Sequence, residues 1–126
     1  MTADPPRGET LKPAPAGHRR LLRVNGVVLD LDGHRAFADG TEILLSRKEF
    51  DLLCVLLQNA GRVLSRRHLL DTVWRTGYAD SNKTLEQHIR RLRRKLDPES
   101  PAQRIRTVRG LGYVFDIEAA RLTGRS

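Results

Sequence analysis

The chain has 126 residues, enough for one folded domain with a tail, and its 23 Lys and Arg against 15 Asp and Glu leave a net charge of +8. That excess favours a polyanionic partner, either nucleic acid or an anionic membrane surface. Cys54 is the only cysteine, which excludes an intramolecular disulfide; with no apolar run near the roughly 20 residues of a membrane span and no signal-peptide core, the expected location is a reducing cytoplasm.

Residues 1–20, "MTADPPRGETLKPAPAGHRR", carry four prolines and little apolar content, and read as a disordered tail or an interdomain linker. The folded domain is expected over 21–117, with a short tail over 118–126. Its first part alternates β-like runs with turn residues: "LLRV", Asn25-Gly26, "VVLDL", Asp32-Gly33, "HRAFA", Asp39-Gly40, "TEILL". Asn-Gly and Asp-Gly suit two-residue hairpin loops, so these runs predict a four-stranded antiparallel meander. Only one of its faces can be apolar, and other elements must cover that face.

Three helices supply the cover. The first starts at Ser46, where the serine caps the helix and Glu49 closes a capping box, with Leu45 and Phe50 spaced as a hydrophobic staple. Phe50, Leu53, Cys54, Leu56 and Leu57 form its apolar stripe, which ends near Gly61; Cys54 on this stripe reads as core rather than nucleophile. The second repeats the device with Leu64, Ser65 and Leu69, then Leu70, Val73 and Trp74. "RTGYADSN" follows as a loop, and the third helix is expected to start near Lys83, capped by Ser81 or Asn82, and to stop at "DPES" and Pro101.

That third helix has two opposed faces. Leu85, Ile89, Leu92 and Leu96 fall on one side of a helix of 3.6 residues per turn, and Lys83, Glu86, Gln87, Arg90, Arg91 and Arg94 fall on the other. The chain then closes with "IRTVRGLGYVF", two β-like runs around Arg109-Gly110-Leu111-Gly112, which predict a hairpin with a basic tip. Two helices joined by a loop, the second with a cationic exposed face, make a helix-turn-helix suited to the DNA major groove. A pure phosphate binder has no need of Glu86 and Gln87 among the arginines. Arginine can pair bidentately with guanine, Gln87 with adenine, and Glu86 can accept from cytosine.

Three stretches, "LLSRKEFDLLCVLLQNAGRVLSRRHLLDTVW", "LEQHIRRLRRKL" and "RIRTVRGLGYVF", carry a resemblance. Through them residues 22–115 resemble the effector domain of the OmpR/PhoB family of bacterial response regulators. The resemblance implies an α+β winged helix-turn-helix with an N-terminal four-stranded sheet, three helices and a C-terminal hairpin wing. It implies sequence-specific binding of double-stranded DNA by a transcriptional regulator of two-component type, with no cofactor.

It also assigns roles to residues. Glu86 and Arg91 take base-reading positions, with Gln87 and Arg90 beside them on the groove-facing arc. Lys83, Thr84, His88, Arg90 and Arg93 match phosphate-contacting positions, as do Arg66 and Trp74 on the second helix; Arg94 joins this set through its place on the cationic face. Thr107 and Arg109 lie in the wing, the arginine entering the minor groove. Arg75, Thr76, Gly77, Tyr78, Ala79 and Asp80 correspond to a loop through which some relatives contact RNA polymerase. The implied assembly is a monomer in solution, paired head-to-tail on tandem direct-repeat half-sites, with no membrane partner.

The chain departs from the family pattern at Glu86, commonly Asp, and at Gln87, commonly small and apolar, so a relative's base preference does not transfer. The phosphoacceptor receiver domain that usually precedes this module is absent from the sequence, and Asp30 and Asp32 do not replace it. Two expectations follow: an excised effector half of a longer regulator, or a receiver-less regulator controlled by abundance or by a partner.

Plainer readings stand beside several residues. His88 either packs beside the apolar stripe or meets a phosphate; Trp74 is mainly core; Glu86 can pair with Arg90 one turn on. Tyr113, alternating with Phe115, reads as core. Two rival functions use the same arginine face: a non-specific nucleic-acid binder, and a module for an acidic protein. Catalysis is not expected. His18, His34, His68 and His88 lack metal-ligand spacing, and Gly110 and Gly112 lie in a hairpin rather than between a strand and a helix.

Overall fold

The computed structural model describes residues 20–75, 81–98 and 103–117. Four short strands open the domain: β1 Leu21–Val24, β2 Val27–Asp30, β3 Arg35–Ala38 and β4 Thr41–Ile43. They form an antiparallel meander in the order β1-β2-β3-β4. Its turns follow from local chemistry. Asn25 and Gly26 have φ of 50° and 80°, Asp39 and Gly40 have 51° and 88°, and two successive positive φ values are what a type I′ hairpin loop requires. Between β2 and β3, Asp30 accepts at Oδ1 from the backbone N–H groups of Asp32 and Gly33, at 3.1 and 3.0 Å, and turns the chain. The run expected to start at His34 starts at Arg35, because His34 takes a left-handed φ of 55°, and the run expected to end at Leu45 ends at Ile43.

The register places Val27 opposite Ala38 and Leu29 opposite Ala36. All four are buried, and the small alanines leave room for helix side chains on that face. Helix α1, Arg47–Gln58, begins with the expected capping box: Glu49 N–H donates to Ser46 Oγ, and Ser46 N–H donates to Glu49 Oε1 at 3.0 Å. Phe50, Leu53, Leu56 and Leu57 are buried as expected, Leu52 joins them, and Cys54 is partly buried against the core. The helix ends at Gln58, with Asn59 as cap, before Gly61 turns the chain at a φ of 85°.

Next comes a strand that the sequence pattern did not predict. Leu64–Ser65, here β5, pairs with the C-terminal hairpin and makes a three-stranded sheet in the order β5-β7-β6, where β6 is Ile105–Val108 and β7 is Gly112–Phe115. Gly112 permits this pairing. Its φ is 153°, and a Cβ there would lie 2.0 Å from the Leu64 carbonyl oxygen, backbone that cannot give way. Two residues thus tie the start of the helix-turn-helix to the wing.

Helix α2, Arg66–Leu69, is capped by Ser65 as expected but lasts one turn before widening into a π-helical segment, Leu70–Trp74. Arg75 closes that segment in a left-handed conformation, donating its N–H to Leu70 O at 3.2 Å. Helix α3 runs Ser81–Leu96. It starts two residues earlier than expected, so Ser81 and Asn82 lie inside the helix rather than capping it. Their small propensity deficit, about 0.5 kcal/mol each, is readily outweighed by the packing of a helix with so regular an apolar stripe. Leu85, Ile89, Leu92 and Leu96 are all buried, at roughly 2 kcal/mol of apolar burial apiece. Asp97-Pro98 follow the helix end, while Pro101 lies outside the described residues, as do the two tails and residues 76–80.

An ion pair ties the end of α3 to α1. Lys95 Nζ reaches buried Glu49 Oε1 at 2.6 Å and the Leu44 carbonyl at 2.9 Å, joining the end of α3 to the start of α1. Burial pushes the Glu49 carboxyl up, but hydrogen bonds from Lys95 and the Ser46 backbone, with the nearby positive charge, outweigh it and leave Glu49 below the ordinary 4.5. A carboxyl depressed in the folded state adds stability in full above its unfolded value and loses it as pH falls through the folded one. Glu49→Gln, which keeps an acceptor for Ser46 N–H, is therefore expected to destabilise by about 1–3 kcal/mol at neutral pH. Urea unfolding at a series of pH values should show that difference shrinking below about pH 4.5. A gap that stays constant to pH 2 would mean the charge is not what Lys95 stabilises.

Candidate nucleic-acid interface

Burial of one stripe of α3 leaves its other arc in solvent. Lys83, Glu86, Gln87, Arg90, Arg91 and Arg94 are all exposed, and no hydrogen bond or ion pair engages them among the described residues. In particular the i,i+4 pair between Glu86 and Arg90 does not form. Both side chains are available to an external partner, on a helix whose C-terminal end is fixed by Lys95.

Beside this arc stands the wing. Its turn is closed by Leu111 N–H donating to Val108 O at 2.9 Å, with Gly110 at a φ of 76°. This puts exposed Arg109 at the tip with exposed Leu111. Lower on the wing, Arg106 pairs with Asp116 across the hairpin at 3.0 Å. Between α3 and the wing lies an open cleft of about 570 Å³, lined by Arg66, Glu86, Arg90, Arg93, Arg94 and Thr107 among others. Its four arginines outnumber the two acidic residues that also line it, Glu86 and Asp97, so the cleft is a positively charged trough running from helix to hairpin.

Tyr113 forms part of its floor, buried rather than projecting, as expected of a core residue. Arg66 from α2 and Arg93 from α3 lie over its ring at 5.6 and 5.9 Å. Arg93 also donates from Nε to the Ile105 carbonyl at 2.9 Å and from Nη2 to Thr107 Oγ1 at 2.7 Å. Burial pulls the Arg93 guanidinium below its ordinary value, partly offset by Tyr113, and an arginine so shifted still carries its charge.

At the other end of α3, Trp74 is half-buried and meets the His88 ring edge-on at 5.0 Å. His88 Nδ1 faces the Thr84 carbonyl at 2.8 Å, and because that oxygen only accepts, Nδ1 carries the proton. Packing thus fixes the His88 ring. Lys48, absent from the sequence-derived site, completes this corner: its ammonium donates to Val73 O at 2.9 Å and lies 6.0 Å from the centre of the Trp74 ring. Only its place in the first turn of an amphipathic helix pointed to it, and that place is shared by many solvated lysines. Thr76, Gly77, Tyr78, Ala79 and Asp80, the expected polymerase-contact loop, lie outside the described residues; Arg75 at its edge is exposed.

A four-stranded antiparallel sheet, three helices and a C-terminal hairpin with an exposed cationic helix between them define a winged helix-turn-helix protein. The family described as "Transcriptional regulatory protein, C terminal" matches residues 40–115. The chain is 45% identical over 98 residues to the sensory transduction protein RegX3 of Mycolicibacterium smegmatis, covering 76% of this chain and 42% of that protein. It is 39% identical over 103 residues to the transcriptional regulatory protein ResD of Bacillus subtilis, covering 80% of this chain and 43% of that one. Among solved structures, the RstA DNA-binding domain of Klebsiella pneumoniae in complex with the RstA box superposes with a TM-score of 0.69 at 29% identity, covering 79% of this chain and 99% of that one. The DNA-binding domain of CpxR from E. coli gives 0.66 at 34% identity, covering 77% and 96%. The chain belongs to the OmpR/PhoB-type family of C-terminal, DNA-binding domains of transcriptional regulators. It spans less than half the length of RegX3 and ResD.

Proposed function

We propose that the domain over 21–117 binds double-stranded DNA sequence-specifically, as the effector part of a two-component transcriptional regulator. The observation that carries this reading is the division of α3: four buried apolar residues on one face, and on the other six polar side chains that are exposed and unpartnered. A solvated surface helix commonly satisfies its charges internally at i,i+4. Here Glu86 and Arg90 stay apart, so an incoming base edge or phosphate meets groups with their hydrogen bonds still to make.

In the proposed complex α3 lies in the major groove, with Glu86, Gln87, Arg90 and Arg91 facing bases and Lys83, Thr84 and Arg94 facing phosphates. Arg66 and Arg93 line the trough along the backbone path. Thr107 accepts from Arg93, which leaves its own hydroxyl proton free for a phosphate oxygen. Arg109 at the wing tip enters the adjacent minor groove. Trp74 and His88 pack on one another, and the Trp74 indole N–H can donate to a phosphate. Pairing of two copies on direct-repeat half-sites, contact of the 75–80 loop with RNA polymerase, and control by phosphorylation in a longer chain belong to the same proposal.

Selection of sites from random duplex DNA at moderate salt, with competitor present, tests it. Enrichment of a motif, as a direct repeat near one helical turn, is expected; binding without enrichment would favour the non-specific reading. Arg90 offers a finer check, because it faces both the base arc and the trough. As a phosphate contact, Arg90→Ala should weaken all sequences alike and reduce the slope of log K against log salt by about one. A loss confined to one base position would assign it to base reading instead.

A further inference from the structure

We propose that Arg93 is a positioning residue: through Ile105 and Thr107 it fixes the wing against the recognition helix so that Arg109 reaches the groove beside the one α3 reads. The inference rests on the DNA-binding reading above but concerns geometry inside the free protein. Arg93 stands on α3 one residue after buried Leu92, on the side facing the hairpin. Its Nε and Nη2 reach the backbone carbonyl of Ile105 at 2.9 Å and the hydroxyl of Thr107 at 2.7 Å, two points on the same strand.

A planar guanidinium bonded at two points sets a direction as well as a distance, which a single point contact does not. The third support is Tyr113, opposite Thr107 in the β6–β7 register and under the Arg93 guanidinium at 5.9 Å. Arg93 therefore touches both strands of the wing. From Thr107 the strand continues to Val108, and Arg109 follows at the turn. Apart from its own turn bond, Leu111 N–H to Val108 O, and the pairing of Gly112 with Val108 and Ser65, nothing among the described residues holds the tip. A tilt at Thr107 is consequently passed to Arg109 with little to resist it.

Arg93→Lys keeps the charge but loses the two-point fork; Thr107→Val removes the acceptor and keeps a β-branched strand residue. In the free protein, hydrogen exchange of the Val108–Leu111 amides should quicken by about tenfold in both variants, the scale of one charge-assisted hydrogen bond, while α1 amides are unchanged. On a selected site, Arg109→Ala should cost wild type about tenfold in affinity but the Arg93→Lys protein less than about threefold. The salt slope of Arg93→Lys should match wild type. Wing exchange unchanged in both variants, or an Arg109→Ala loss equally large in both backgrounds, would overturn the proposal and leave Arg93 as a phosphate contact. Failure of wild type to prefer any DNA sequence would instead sink the DNA reading, and the exchange data would still decide whether Arg93 braces the wing.

Discussion

Replacing Arg104 by methionine is expected to destabilise the domain by about 3–5 kcal/mol, lowering Tm by roughly 15–30 °C for a domain of this size. Arg104, just before β6, lies where the end of α3 meets two turns of the N-terminal sheet. Its Nη1 donates to Leu96 O at 3.0 Å and Asp97 Oδ1 at 2.8 Å, its Nε to Asn25 O at 2.8 Å, and its Nη2 to both Asp39 carboxylate oxygens at 2.6 and 2.7 Å. The end of α3, two hairpin turns of the N-terminal sheet and the start of β6 thus meet on one guanidinium.

The cost is expected to come mainly from what is left behind. The Asp97 side chain is only 7% exposed, so without Arg104 a carboxylate stays buried with no cation. Asp39, at 67%, returns to water and loses little. Urea denaturation separates these contributions. Asp39→Asn alone should cost no more than about 1 kcal/mol, and Asp97→Asn added to Arg104→Met should recover part of the loss by removing the orphaned charge. A double variant no more stable than Arg104→Met would mean that the lost carbonyl bonds, rather than the buried carboxylate, dominate.

Arg104 also shows where reading the sequence ran out. Elements whose cause is local were legible. The Asn25-Gly26 and Asp39-Gly40 loops fix their own dihedral angles, Ser46 and Glu49 cap a helix within four residues, and the α3 stripe follows from the helical repeat alone. The exposed arc of α3 was legible for the same reason, since the residues opposite the buried stripe face out.

Features that depend on distant partners were not. Leu64–Ser65 becomes a strand only because Gly112, 47 or more residues later, admits its backbone. Arg104 bonds Asn25 across 79 residues and Asp39 across 65, and nothing around it distinguishes it from the other arginines. Arg93 was legible as basic and near the phosphate path, but its attachment to Ile105 and Thr107 appears only when α3 and the wing are side by side. Periodicity reports which face is buried. It does not report which of two neighbouring arginines is tied inward and which is left for a ligand, and in the α3–wing trough that distinction separates a positioning residue from a contacting one.

Arg91 is the residue left outward, and the largest functional effect is expected there. It is exposed, without partners among the described residues, and sits on the turn after Glu86 and Gln87 near the middle of the arc. In the proposed complex a bidentate pair with guanine O6 and N7 is within its chemistry. Arg91→Ala should cost about 1–3 kcal/mol on the selected site, roughly five- to 150-fold in affinity, and only the small effect of one lost charge on random duplex. Arg91→Lys sharpens the test, because it keeps the charge and loses the fork. It should bind random DNA like wild type and still lose most of its preference for the selected site.

Pairing each protein with sites changed one base pair at a time then locates the contact. The base pair whose substitution harms wild type but is neutral for Arg91→Ala is the one Arg91 reads. Glu86 serves as the control, since its removal should relax a different position while raising non-specific affinity by relieving repulsion from phosphates. If Arg91→Ala weakens selected and random DNA by the same factor, and no base pair becomes neutral in its background, Arg91 holds phosphate alone. Sequence recognition would then have to come from Glu86, Gln87 and the wing.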